Sequence, residues 1–333
     1  MVCPRRRTDL ERKKTPSWLG LGIGFALGAV MGALSGWSDI GIVLAPAFLG
    51  FALGAWGYAA GAVSFVGFIG ALFLICGLES TLLRLAAVLP ASAVIGYIIY
   101  NKKAWRTAVG LGALLMGVGL YVYTCLPSIL DGYDPFYYIA SVFTALADEM
   151  TSLAESGLVS EERVSLMRAM FVTLADSVET IAMQAICLIS MVFALVDTLI
   201  ARLLVKRTGR ELKPMTPMPL WQLSTNYTYA ALAAIIGGAA ALLFKLNNSA
   251  SVVSAAQMAI IGPLALMGVC YLDFTTRLGR PGSKAKRVII YVLIVIMLPY
   301  SITVLAIAGL LDRIMKTRRR FVPNEKRKKP NNK

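Results

Sequence analysis

One carboxylate stands inside an apolar run: Asp197, within Ile-Ser-Met-Val-Phe-Ala-Leu-Val-Asp-Thr-Leu-Ile-Ala-Arg-Leu-Leu at residues 189–204. A charge at such a place in lipid is expensive, so the group turns inward, pairs, or serves a proton, cation or substrate path. Its chemistry is therefore that of a ligand for a proton, a cation or a solute, or else that of an ion pair with Arg202 or a neighbouring helix near the inner boundary. Gln184 stands earlier in the same apolar run and Gln257 in another, where an amide hydrogen-bonds across helices or to a bound solute. Glu79 and Arg84 flank a turn between two apolar runs, and an interfacial ion pair is the simpler expectation there, with a cavity mouth as the alternative.

The inventory closes off most enzyme chemistry. There is no histidine in the 333 residues, which removes the Ser-His-Asp triad, the His-Glu-x-x-His zinc site and imidazole metal clusters. Cys3, Cys76, Cys125, Cys187 and Cys270 have no C-x-x-C spacing and read as small apolar side chains. No phosphate-binding glycine loop lies in a strand-turn-helix setting, because the glycine-rich runs sit in apolar helices. The acidic residues of the 127–179 segment lack a paired spacing. No catalytic residue, cofactor or metal is expected, and the chain reads as something other than an enzyme.

The elements that position these groups are membrane helices. Hydrophobic residues make up 57% of the chain and charged ones 15%, with a mean hydropathy of +0.69. These values lie far from those of a soluble domain. Apolar runs near the ~20 residues that cross a bilayer fall at 18–37, 41–57, 60–78, 82–100, 107–126, 180–204, 227–244, 251–271 and 288–311, with the hairpin between the second and third at Gly57 or Gly61. The net charge of +15 is gathered beside these runs rather than on one face, which points to a membrane and not to nucleic acid.

Basic clusters before the first run, after the fourth (Lys102, Lys103, Arg106) and after the sixth (Arg202, Lys206, Arg207, Arg210, Lys213) place the N-terminus and both loops in the cytoplasm. The acid-rich stretch 127–179 then faces outward. Basic groups on both sides of 288–311 break the alternation, and the longer tail is taken as cytoplasmic. The expected fold is an all-α polytopic bundle of about eight spans, seven to nine, in the cell membrane. A retained first helix is preferred to a cleaved signal.

Within 127–179, apolar residues at helical spacing (Ile139 to Leu153, then Val164 to Leu174) predict an amphipathic hairpin turning at Ser156-Gly157. The organisation is thus a basic N-terminus (1–17), a glycine-rich membrane half (18–126), the outer helical insert (127–179), a second membrane half (180–311) and a basic tail (312–333). In the first run Gly20, Gly24, Gly28, Gly32 and Gly36 repeat every four residues. That stripe lets a second helix approach by backbone contact, so it is either a packing face within the chain or a face for a partner membrane protein. The basic tail suits anionic lipid.

Three features together resemble the uncharacterised YybS-like family of bacterial membrane proteins. They are the overall plan, the loop Pro217-Met218-Pro219-Leu220-Trp221-Gln222-Leu223, and the closing Gly309-Leu310-Leu311-Asp312 followed by Arg318 and Arg319. Ser224 stands where that family often has a proline. More distantly, the chain is similar to the substrate-binding membrane subunits of energy-coupling-factor transporters. That likeness implies that the glycine stripe meets a coupling subunit and that other chains supply the ATPase. The expected function is a solute-binding or transport-related component working with partner membrane proteins. The alternative is a non-transporting organiser that packs on an envelope protein through the stripe.

Overall fold

The computed structural model describes residues 18–155, 160–215, 218–223, 226–245, 249–278, 288–289, 291–293, 298–315 and 318. Those residues form helices α1 (Trp18–Trp37), α2 (Asp39–Trp56), α3 (Tyr58–Tyr100), α4 (Trp105–Leu130), α5 (Tyr137–Glu155), α6 (Glu161–Arg207), a 3-10 turn (Met218–Leu220), α7 (Asn226–Leu243), α8 (Ser249–Leu278) and α9 (Leu298–Met315). No strand occurs among the described residues. Six helices, α1–α4, α6 and α8, are long and apolar enough to cross a membrane. The chain is a polytopic helical membrane protein.

The connections follow from a few residues. Ser38 is extended and accepts the Ile40 N–H at 3.2 Å, which caps α2. Gly57 takes φ 93° and separates α2 from α3, as the sequence suggests. Gly77 interrupts α3 with φ 75° and ψ −176°, a conformation open essentially to glycine alone.

Helix α3 is two passes rather than one. At ~1.5 Å per residue a straight helix of this length would run about 65 Å, twice the apolar thickness of a bilayer. Its first half runs alongside α1 in the same direction, with Gly24 against Ala60, Gly28 against Ser64, Gly32 against Phe68 and Gly36 against Ile75. Its second half runs alongside α2, with Gly50 against Ile95 and Gly54 against Ile99. Because α1 and α2 form a hairpin at Ser38, α3 must reverse at Gly77. The separate runs 60–78 and 82–100 are recovered in this way.

The chain divides into two compact units. The first contains residues up to Pro135 and Ile189–Lys213. Its core includes Ile42, Leu49, Phe68, Leu72 and Val88, and a second cluster joins Phe51, Ile95 and Ile99 to Ala201 and Val205 of α6. Glycines set the helix spacing, with Gly119 against Ala86 and Ala87, and Gly112 against Ile95 and Ala194. Such backbone-to-backbone packing is the usual source of association among membrane helices.

The second unit contains Phe136–Leu188 and residues from Pro214 onward. There α8 and α9 cross where Gly268 meets the Leu305 backbone and Gly309 meets the Leu264 backbone, around Leu264, Ala265, Leu305 and Ala306.

One expected element differs. The second arm of the outer hairpin is not a separate helix but the start of α6, which runs unbroken from Glu161 to Arg207. No glycine or proline occurs in that stretch, so nothing stops the helix between the amphipathic and the apolar parts. The expected turn at Ser156-Gly157, the basic N-terminus and most of the tail lie outside the described residues.

Candidate functional site

Helix α6 turns one face into the first unit. Ser190, Ala194, Asp197, Thr198, Ala201, Arg202 and Val205 are all buried and recur at three- and four-residue steps, the spacing of one helix face. Ala194 sits against Gly112 of α4, and Ala201 and Val205 join the cluster of Phe51, Ile95 and Ile99. Asp197 lies between these anchors, ten residues or about 15 Å along the helix from Arg207.

Asp197 has 0% exposure, and neither carboxyl oxygen has a hydrogen-bond partner. The neighbouring Thr198 hydroxyl is equally buried and unpartnered. Two adjacent oxygen-bearing groups are thus shielded from solvent and without a hydrogen-bond partner among the described residues. A bare carboxylate in such surroundings is costly, and a proton or a bound cation is what lowers that cost.

The expected alternative, a pair with Arg202, is not the observed arrangement. Arg202 is spent elsewhere: its Nη2 donates to the Lys213 carbonyl oxygen at 2.5 Å. Five helical residues separate the two Cα positions by about 140° around the axis, which leads the long side chain away from the carboxyl.

Below this level a second arginine closes the helix ends. Arg210 donates to the Gly54 and Ala55 carbonyl oxygens of α2 and, at 3.0 Å, to that of Tyr100 at the end of α3. Its guanidinium carbon stands 4.3 Å from the centre of the Tyr100 ring. These acceptors are carbonyls of the kind that helix C-termini leave unpaired. In the sequence Arg210 is one basic residue among several, and nothing there reveals the clamp.

The other sequence candidates separate. Gln184 donates to Ser254 Oγ at 2.8 Å within the second unit, a helix-to-helix bond between α6 and α8. Gln257 is exposed and does not join Gln184. Gly20, Gly24, Gly28, Gly32 and Gly36 lie along one face of α1, and the last four meet α3 of the same chain. A Cβ placed on Gly28 would overlap the Ser64 carbonyl oxygen. The exposed face of α1 is the other one, with Leu19, Ile23 and Val30. Glu79 is exposed and Arg84 faces Tyr123 instead, so the expected Glu79–Arg84 pair does not form. Their five-residue spacing puts them on different helix faces.

No group of three or more metal-ligating side chains occurs among the described residues. A carboxyl and a hydroxyl side by side offer the chemistry of ligation and of proton transfer.

Residues 25–313 match the model of the family described as Predicted membrane protein (DUF2232). The chain belongs to that family. No curated protein and no solved structure matches it. Membership of DUF2232 fixes the membrane class and carries no activity.

Two of the motif stretches noted in the sequence meet within this DUF2232 protein, at Arg318. Its Nε donates to Asp312 Oδ2 at 2.8 Å, and Nη2 lies 2.7 Å from the same oxygen. Nη1 donates to the Trp221 carbonyl at 2.6 Å and Nη2 to that of Met267 at 3.4 Å. The guanidinium is 1% exposed. A single side chain thereby fastens the Trp221 loop, α8 and the end of α9.

Proposed function

We propose that this chain is a solute-binding, transport-related component of the membrane that works with partner membrane proteins, and that Asp197 with Thr198 holds a proton or a small cation in its first unit. The observation that carries this reading is the completely buried Asp197 carboxyl without a hydrogen-bond partner. Ionisable groups kept inside membrane bundles at such expense commonly line ion, proton or substrate paths. The distant likeness to energy-coupling-factor substrate subunits supports the same class, and any ATPase would be supplied by other chains. The organiser alternative and the coupling-subunit contact implied by that likeness both rely on the glycine stripe as an external face, and α3 already fills that face from Gly24 to Gly36, so the reading rests on Asp197 and not on the stripe.

The test is reconstitution of the purified protein in liposomes, with proton and alkali-cation flux or binding read by fluorescent indicators. Asp197→Asn is expected to abolish the signal while the protein remains monodisperse and helical, and Thr198→Val to weaken it. Equal flux or binding in wild type and Asp197→Asn would overturn the assignment. So would a variant whose only defect is lower abundance.

A further inference from the structure

A second unsatisfied charge sits in the first unit, at the end that carries Ser38 and Gly77. Arg84 follows the Gly77 reversal on the face of α3 that also buries Thr81 and Val88. Its Nε and Nη1 are shielded from solvent and have no acceptor. The guanidinium carbon is 5.8 Å from the centre of the Tyr123 ring, and the Tyr123 hydroxyl donates to Asp39 Oδ1 at 2.9 Å. Asp39 belongs to the first turn of α2, where a helix N-terminus favours its charge. Among the described residues it makes no ion pair with Arg84. Leu85, Leu89, Leu120 and Cys76 pack with Tyr123 on the same apolar cluster.

A guanidinium does not shed its proton in a protein, so it cannot escape burial by becoming neutral. The aromatic face offsets part of the desolvation. Nε and Nη1 remain without acceptors among the described residues, with the Tyr123 hydroxyl already given to Asp39, and an oxyanion is the group that matches a guanidinium in both charge and donor geometry. We infer that Arg84, flanked by Tyr123, is a binding site for a phosphate or carboxylate group, separate from the Asp197 site and opposite to it in the charge it accepts. The same chemistry is offered by a phospholipid headgroup and by a free anionic solute. The half-buried position of Arg84 leaves it reachable by either.

The experiment uses the delipidated full chain and two probes, inorganic phosphate and phosphatidylglycerol in mixed micelles. Binding is followed by titration, and protection of Arg84 from phenylglyoxal is read by peptide mass spectrometry. Saturable binding is expected, with Kd raised about tenfold or more in Arg84→Gln and less in Arg84→Lys. Protection by phosphate assigns a soluble anion, and protection by phosphatidylglycerol alone assigns a lipid headgroup. Absence of protection by both probes in the wild-type protein overturns the site, as does unchanged affinity in Arg84→Gln. Protection is measured on wild-type protein, so a folding defect in the variant does not remove the test.

Discussion

At the scale of single residues, this protein is organised by how a few charges are satisfied. Arg318 and Asp312 form a buried pair with further carbonyl acceptors, and breaking such a pair strands a charge. Arg318→Ala is expected to lower stability by about 3–5 kcal/mol, and adding Asp312→Asn should recover part of that loss. Thermal unfolding in detergent measures both. Arg210→Ala removes three carbonyl bonds and a ring contact, so a loss of about 2–3 kcal/mol is expected in the same assay. Asp197 behaves differently, because it has no bond to lose. Asp197→Asn should leave the melting temperature unchanged or raised while abolishing cation or proton handling. Asp197 was legible in the sequence because a charge stands out in an apolar run. The Tyr123 partner of Arg84 and the carbonyl partners of Arg210 and Arg318 were not, since each lies dozens of residues away on another element; Asp312 is the exception, six residues from Arg318.

At the scale of helices, glycine placement decides which faces touch. Gly28 and Gly22 are neighbours on α1 with opposite surroundings: a Cβ at Gly28 would overlap the Ser64 carbonyl, whereas one at Gly22 meets nothing within 4 Å. Gly28→Ala is therefore expected to destabilise by about 1–3 kcal/mol, and Gly22→Ala to be neutral or slightly stabilising. Circular dichroism melts of the two variants provide the comparison. The four-residue repeat was visible in the sequence, but the repeat alone does not say whether the opposing helix belongs to the same chain. The unbroken α6 shows the reverse limit. Its amphipathic and apolar parts differ in pattern, and that difference suggested two helices, yet helix continuity depends on the backbone, which has no breaker there.

At the scale of the whole molecule, the reversal of α3 controls the threading. With φ 75° at Gly77, Gly77→Ala is expected to cost about 1–3 kcal/mol even though the space around it is open. In a background without the native cysteines, Glu79→Cys and Lys102→Cys should react with impermeant maleimide from opposite sides of the membrane. Labelling from the same side would mean that α3 does not turn back. The two compact units divide the chain differently from the composition. The acidic insert 127–179 reads as one block in the sequence, whereas the second unit takes in Phe136–Leu188 together with the residues after Pro214. Its boundary falls inside α6, where no change in composition marks it.

The sequence by itself determined the solvent and the material: apolar runs of bilayer length, positive charge gathered beside them, no histidine chemistry, a stripe of glycines and one conspicuous carboxylate. These are local properties, carried by neighbouring residues, and they survive any arrangement of the helices. Only the tertiary structure decided what fills the glycine face, that Arg202 turns to Lys213 and leaves Asp197 bare, and that Arg318 joins Trp221 to Asp312. Those outcomes depend on which helix faces meet in space, and packing between distant segments is a property that no single stretch of the chain contains.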